Sequence, residues 1–200
     1  MLDRTDRKVI IVDDIRSAAV GAVVRIGERA LITPLASDLA RQRDIVFERE
    51  TPQTSARKIA IGADHGGFEM KEALKGVLKE LGFEYVDLGT HSSDPVDYPD
   101  FAHAVALAVS RRQCELGIMI DGAGIGSCMA ANKVPGIRAA MCYDEASARN
   151  SREHNGANVL TLGGKVISTG QMRDIVRVWL SSELTEERHR RRVAKIDFHS

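Results

Sequence analysis

Apolar positions from residue 58 onward fall into short continuous runs separated by stripes of helical spacing. Lys58–Gly62, Tyr85–Leu88, Leu116–Ile120, Gly136–Cys142 and Asn158–Leu162 read as strands. Between them, Phe68, Met70, Leu74, Val77, Leu78 and Leu81 recur at mostly helical intervals. Phe101–Ser110, the stretch through Met129 and Ala131, Asp144–His154 and Gly170–Leu180 complete the set of helices. Strands alternating with helices predict an α/β fold with three layers, α/β/α, around a mostly parallel five-stranded sheet. Ligands of such sheets sit at the carboxyl ends of strands. Three predicted ends carry polar or glycine-rich sequence: Asp64 with His65, Asp121 to Gly126, and Gly163 with Gly164.

The first 55 residues are patterned differently. Val9–Val12, Ala30–Ile32 and Ile45–Phe47 read as strands, with Thr33 as N-cap and Pro34 opening a helix to about Arg43. Residues 47–58 are polar, contain Pro52 and read as a linker with a boundary near Ser55. Residues 1–55 are therefore expected to be a small extension, too short to trust as an independent core, on a domain of residues 56–200.

Composition narrows the function classes. The chain has 200 residues, 28 basic and 28 acidic, 44% hydrophobic and 4% aromatic, which excludes a disordered chain, a collagen-like repeat and a strongly basic nucleic-acid binder. Cys114, Cys128 and Cys142 show no CxxC spacing, so neither a disulfide framework nor a zinc knuckle is indicated and a reducing cytosol is the simplest home. No apolar run approaches the roughly 20 residues that span a bilayer. A cytoplasmic protein without membrane or nucleic-acid partners is expected.

DGAGIG, residues 121–126, follows a strand and precedes a helix, so its N–H groups could hold an anion, an enediolate oxygen or a phosphate. It lacks the GxGxxG form and the Lys-Ser/Thr of a P-loop, and a plain tight turn is the competing reading. Asp121, where a buried strand ends, is placed either as a base or as a helix cap. Asp64 and His65 could contact a sugar hydroxyl, or Asp64 could cap the following helix. His154, near a helix end, reads as a solvated partner of the helix dipole. In the run Glu187–Arg192, Arg188 and Arg192 lie one helical turn apart, as a phosphate clamp or as a solvated helix face.

Taken together, KIAIGADHGGFEMKEAL, VDLGTHSSDPVDYPDFA, DGAGIGSCMAANKVPGIRAAMC, ASARNSREHNGANVLTLGGKVI and ERHRRRVAKI resemble the type B ribose-5-phosphate isomerase family, which includes the galactose-6-phosphate isomerase subunits. The resemblance covers residues 57 to about 197, with five motifs in family order and spacing. It implies a Rossmann-like subunit that forms a homodimer or larger assembly, active sites built across the interface, and interconversion of an aldose phosphate and a ketose phosphate without metal or cofactor. By position, it implies substrate contacts from Asp64, His65, Asp97, Tyr98 and Asn155, and ring opening by His154. It implies phosphate contacts from Lys165, Arg188 and Arg192, with His189 matching a further site histidine in part of the family.

Two departures matter. Many members carry a cysteine base followed by Gly-Thr/Ser-Gly where this chain has Asp121 and Ala123, and another branch uses a Glu that would fall at Ser127. Proton transfer between C1 and C2 needs one base that reaches both carbons and donors for the enediolate oxygen. A carboxylate can do this, so Asp121 is the candidate base, with the N–H groups of Gly122 to Gly126 (Gly122, Gly124 and Gly126 among them) and Ser127 as donors; Cys128 is expected to point into helix packing. The lost cysteine also motivates the alternative of a non-catalytic sugar-phosphate binder or partner subunit. Finally, GERALITPLASDLARQRDIVFER is similar to a short segment of several enzymes associated with bacterial microcompartments. That similarity implies docking of residues 22–50 to a shell or co-encapsulated enzyme; a dimer extension packed on the isomerase body is the other reading.

Overall fold

The structure, a computed structural model, describes residues 2–27, 30–49 and 58–197. Of the expected linker 47–58, residues 50–57, with the boundary at Ser55, lie outside the described residues, while Phe47–Arg49 and Lys58 belong to strands rather than to a linker. The chain divides into two units, Met1–Ser55 and Ala56–Ser200.

The first unit contains β1 (Leu2–Arg4), β2 (Val9–Ile10), α1 (Val12–Ile15), β3 (Val23–Ile26), β4 (Leu31–Ile32), α2 (Pro34–Gln42) and β5 (Val46–Arg49). β1, β3 and β5 form one parallel sheet in that order, and β2 pairs with β4 in a second. Thr33 caps α2 as expected, its hydroxyl accepting from Ala36 N–H, and Pro34 occupies the first helical position. The expected strand Val9–Val12 stops at Ile10, because the Asp14 carboxylate accepts the Ile11 N–H at 2.9 Å and turns the chain into α1. Ile10, Ile15, Val24, Ile26, Ala36 and Ala40 form a core of this unit's own.

The second unit runs β6 (Lys58–Ala63), α3 (Phe68–Glu80), β7 (Glu84–Asp87), α4 (Tyr98–Ser110), β8 (Leu116–Asp121), α5 (Ile125–Ala131), β9 (Ala139–Met141), α6 (Glu145–Glu153), β10 (Val159–Gly163), α7 (Thr169–Ser181) and α8 (Glu187–Asp197). Its five-stranded sheet has the order β7-β6-β8-β10-β9, and every pairing is parallel. Alternation along the strands sorts the core into two layers. Ile59, Ile61, Ile118, Ile120, Leu160 and Leu162 face α3, α6 and α7, where Leu74, Val77, Ala148, Ile175 and Trp179 are buried. Ala60, Met119 and Val159 face α4 and α5 through Val105, Ala106, Val109 and Ala131. This is the expected three-layer, Rossmann-like arrangement. α4 packs tightly, since a Cβ on Gly62 or Gly117 would lie 2.7 or 2.6 Å from Val105. Among the described residues no helix is long and apolar enough to cross a membrane.

Candidate active site

The chain leaves β6 toward β7 on one side and returns to β8 on the other, so the connections diverge above the carboxyl ends of β6 and β8. That divergence opens a crevice. Asp64–Gly67 and Asp121–Ser127 meet there. Asp64 N–H donates to Ile120 O at 3.1 Å, and the Asp64 carboxylate accepts Gly67 N–H at 3.0 Å, which closes the turn ahead of α3; the N-cap of α3 is Gly67, without a side-chain cap, so the alternative of Asp64 as helix cap is not realised. The loop lies directly on β8: a Cβ on Gly67 would fall 2.1 Å from Ile120 O. His65 is tied to the next loop by Val96 N–H, 3.2 Å from its Nδ1, and that loop carries Asp97 and Tyr98. The Tyr98 ring crosses Gly126, where a Cβ would come within 2.6 Å of it. From β10, Gly164 N–H donates to Asp121 O at 2.7 Å and Lys165 N–H to Gly122 O at 3.0 Å, which sets the Lys165 side chain beside the glycine loop. Asp64, His65, Asp97, Tyr98, Asp121, the glycine loop and Lys165 thus gather at one end of the sheet.

Asp121 is 4% exposed and fully engaged. One carboxylate oxygen accepts the N–H groups of Ala123, at 2.8 Å, and of Gly124; the other accepts the Ser127 N–H at 2.9 Å and the Ser127 hydroxyl. A carboxylate offers about four lone-pair positions, and four donors occupy them. The Ala123 and Gly124 amides expected to face a substrate oxygen therefore turn inward, because a buried negative charge draws the nearest donors. The Cys128 thiol points to Ala139 O at 3.3 Å, in the packing between α5 and β9.

Sequence reasoning missed the support beneath Asp64 and His65. Lys71, fully buried on α3, places Nζ 2.7 and 2.6 Å from the two Asp87 carboxylate oxygens, and Lys75 approaches the same carboxylate at 2.7 Å. Asp87 also accepts Gly89 N–H at 3.1 Å, and Gly89 O and Thr90 N–H pair with Ala63, the residue before Asp64. Burial alone pushes the Asp87 carboxyl up, but the hydrogen bonds from Lys71, Lys75 and Gly89 outweigh it and hold it below the ordinary carboxylate range. A lysine on an amphipathic helix usually reaches solvent, so nothing in the pattern marked Lys71 as buried.

The remaining candidates sit elsewhere. α6 starts at the carboxyl end of β9 and runs back across the sheet, so His154 and Asn155, at its end, stand at the amino ends of the strands. α7 returns the same way to Ser181, and His154 joins Arg149, Glu153, Ser182, Thr185 and Glu186 around a cavity of about 360 Å³. α8 is held to this edge by Arg138, whose guanidinium pairs with both Asp197 oxygens at 2.9 Å. Arg188 and Arg192 are exposed on α8, and Arg188 contacts Glu186 at 2.5 Å. His189 points inward, 5% exposed, and its ring stacks on His154 with centroids 4.2 Å apart and planes 12° from parallel. Its pKa is pushed down by burial first and then by His154 and Arg188. Asn150, also missed by sequence, lies 3.3 Å from His154 Nδ1 and accepts from Asn155 at 3.3 Å.

The candidates therefore form two groups at opposite ends of the sheet. β10 alone, five residues long, separates those ends by on the order of 15 Å. Among the described residues no three His, Cys, Asp or Glu side chains converge as a set that would hold a metal ion.

Compared with known proteins, residues 59–196 match the Ribose/Galactose Isomerase family. Ribose-5-phosphate isomerase B of Escherichia coli is 44% identical over 140 residues, 70% of this chain and 94% of that protein. D-erythrulose-4-phosphate isomerase of Pectobacterium atrosepticum is 37% identical over 145 residues, 70% of this chain and 93% of that one. Among solved structures, ribose-5-phosphate isomerase B of Clostridium thermocellum superposes with a TM-score of 0.70 at 50% identity, covering 71% of this chain and 96% of its own.

Proposed function

The chain belongs to the Ribose/Galactose Isomerase family and is a sugar-phosphate isomerase by that membership; from this premise we propose that it interconverts ribose 5-phosphate and ribulose 5-phosphate through an enediolate, with Asp121 as the base. The carrying observation is the convergence of Asp64, His65, Tyr98, Asp121 and Lys165 at the β6/β8 crevice of a chain from this family. Moving a proton between adjacent carbons asks for one base within reach of both. In its resting arrangement Asp121 commits every lone pair to its own loop, so abstraction requires it to exchange one donor for the substrate. The Ser127 hydroxyl is the donor that leaves by side-chain rotation alone, without moving the backbone. Releasing it costs about 1–3 kcal/mol. That is small against the roughly 8–23 kcal/mol by which enzymes lower barriers, so the exchange is compatible with fast turnover.

The same saturation is the observation that favours a second reading, in which Asp121 only organises the loop and the chain binds sugar phosphates as a partner subunit. A coupled assay over four-, five- and six-carbon aldose phosphates, run with Asp121→Asn and Asp121→Cys beside the wild type, separates the two. Turnover that disappears in Asn and partly survives in Cys supports the base. Stabilisation by ribose 5-phosphate without turnover of any sugar supports the binder.

We also propose that a second copy of the chain completes each site. A sugar phosphate is shorter than the distance between the two groups, and Ile125 and Met129, four residues apart on α5 beside the glycine loop, are 52% and 65% exposed. Mixing an Asp121→Asn chain with an Arg188→Ala/Arg192→Ala chain should then recover activity that neither has alone. No recovery after subunit exchange would sink shared sites. For residues 22–50, exposure of Leu31, Leu35 and Val46 supports a docking role, tested by deleting residues 1–55 and following assembly and turnover separately.

A further inference from the structure

The sequence position of His189, between Arg188 and Arg192, suggests a phosphate ligand, but its surroundings do not suit one. On α8 the arginines occupy exposed positions, whereas His189 and Val193, one turn apart, are the buried pair. His189 Nε2 is buried and has no hydrogen-bond partner among the described residues. The nearest carboxylate, Glu186, is 3.8 Å from it, too far for a hydrogen bond. The Nε2 atom is buried, whereas the guanidinium-bearing side chains of Arg188 and Arg192 are exposed. What His189 does touch is the full face of His154.

We propose that His189 is a positioning residue for His154: a flat platform that fixes the plane of the His154 ring for opening of the cyclic aldose phosphate, with no part in phosphate binding. This rests on the isomerase reading above. Opening a furanose breaks the C1–O4 bond while O1 gives up its proton and O4 gains one. A neutral imidazole that takes the O1 proton and returns it to O4 completes the step with no net change in charge. Such a shuttle depends on ring orientation, because the same nitrogen must face both oxygens. Asn150 holds one edge of His154, and His189 holds its face. The platform serves best uncharged, since two imidazolium rings in a stack repel. Burial first, and then the positive charges of Arg188 and Arg192, push the His189 pKa down against the opposing pull of Glu186, and a proton on His154 during the shuttle pushes it further the same way.

The test compares two reactions that differ only in ring opening. Ribose 5-phosphate is largely cyclic and must open; ribulose 5-phosphate has O5 esterified and cannot close a five-membered ring. Conversion of the first is measured beside solvent deuterium exchange into C1 of the second. In His189→Ala, kcat for ribose 5-phosphate should fall about tenfold with KM within about twofold, while exchange into ribulose 5-phosphate is nearly unchanged. His189→Phe, which keeps a flat stacking ring, should recover most of the loss. A rise in KM for both sugars, equal losses in both reactions, or no effect of Ala overturns the proposal. The His154 ring-proton NMR shift gives an activity-independent check: Ala should move it downfield and Phe should hold it. A shift unmoved by Ala removes the platform even if the protein turns over nothing, whereas a wild type inactive on both sugars removes only the isomerase reading.

Discussion

The two groups of candidate residues are built from different materials. At the carboxyl ends of the strands the site is built mainly from backbone and the two buried carboxylates Asp64 and Asp121, with glycines where a Cβ would strike the neighbouring strand or the Tyr98 ring. At the amino edge it consists of long exposed side chains on α8, a helix anchored by two buried residues and the Arg138–Asp197 pair. Proton transfer at carbon needs placement within fractions of an ångström, and a packed loop supplies it. A doubly charged phosphate is gripped by guanidinium groups that tolerate motion. Substitutions in the packed loop should therefore cost chemistry, and those of the exposed α8 arginines should cost affinity.

The largest expected effect is at Asp121. Asp121→Asn should lower kcat by about a thousandfold or more, as loss of a general base does. It should also lower the melting temperature, because the amide nitrogen cannot accept all the donors that the carboxylate satisfies. A variant that melts earlier and yet keeps kcat would assign Asp121 to the loop alone. Lys71→Met comes next. It strips the buried partner from Asp87, and breaking such a pair costs roughly 3–5 kcal/mol, discounted here because Lys75 remains on the same carboxylate. Denaturant titration reads the stability. A loosened Asp64–His65 loop should appear as a raised KM, and unchanged kinetics in a destabilised protein would break the link from Asp87 through Gly89 to Ala63.

Arg192→Ala should raise KM for the sugar phosphate by about 10- to 100-fold with kcat nearly preserved, the cost of one charge-assisted contact. Equal falls in kcat and kcat/KM would instead mean that Arg192 acts in the transition state rather than in binding. Both readings assume an intact α8, which circular dichroism verifies.

The carboxyl-end group was largely legible in the sequence, and the reason is physical. Buried parallel strands read as apolar runs, so their ends, and the residues at those ends, can be counted off directly. The strands of the second unit and the crevice position followed from this. The amino edge was not legible in the same way. Its chemistry depends on which face of α8 is buried, and a helix so polar shows no apolar stripe: one valine and one histidine do that work. β1 and β3 were missed because Asp3, Arg4 and Arg25 interrupt short strands of a small sheet. The Asp121–Ser127 bond and the Lys71–Asp87 pair join residues whose types are ordinary surface residues, and only the fold brings them together and buries them.

Acid should separate the two ends without any substitution. A group whose folded pKa is depressed contributes stability above its unfolded value and loses it as pH falls toward the folded one. For His189 that loss begins near pH 6.5, and for Asp87 near pH 4, the ordinary values of the two groups. The amino edge should therefore loosen first: amide protection in α8 falls in mildly acidic solution while amide protection around Ala63 and Gly89 persists to lower pH. Simultaneous changes would show that the ends are coupled more tightly than their separate construction implies.

The smallest expected effect is the most pointed one for the chemistry. Ser127→Ala removes one donor from Asp121 and leaves the carboxylate with three backbone partners. If Asp121 must shed the serine hydroxyl before it takes a proton, the variant begins with that bond already absent, so kcat should hold or rise by a few-fold while stability falls by about 1 kcal/mol. If the hydroxyl is needed to donate to the enediolate oxygen, kcat falls by about a hundredfold instead. The direction of this one change, read in the same assay as Asp121→Asn, tells whether the serine restrains the base or assists it.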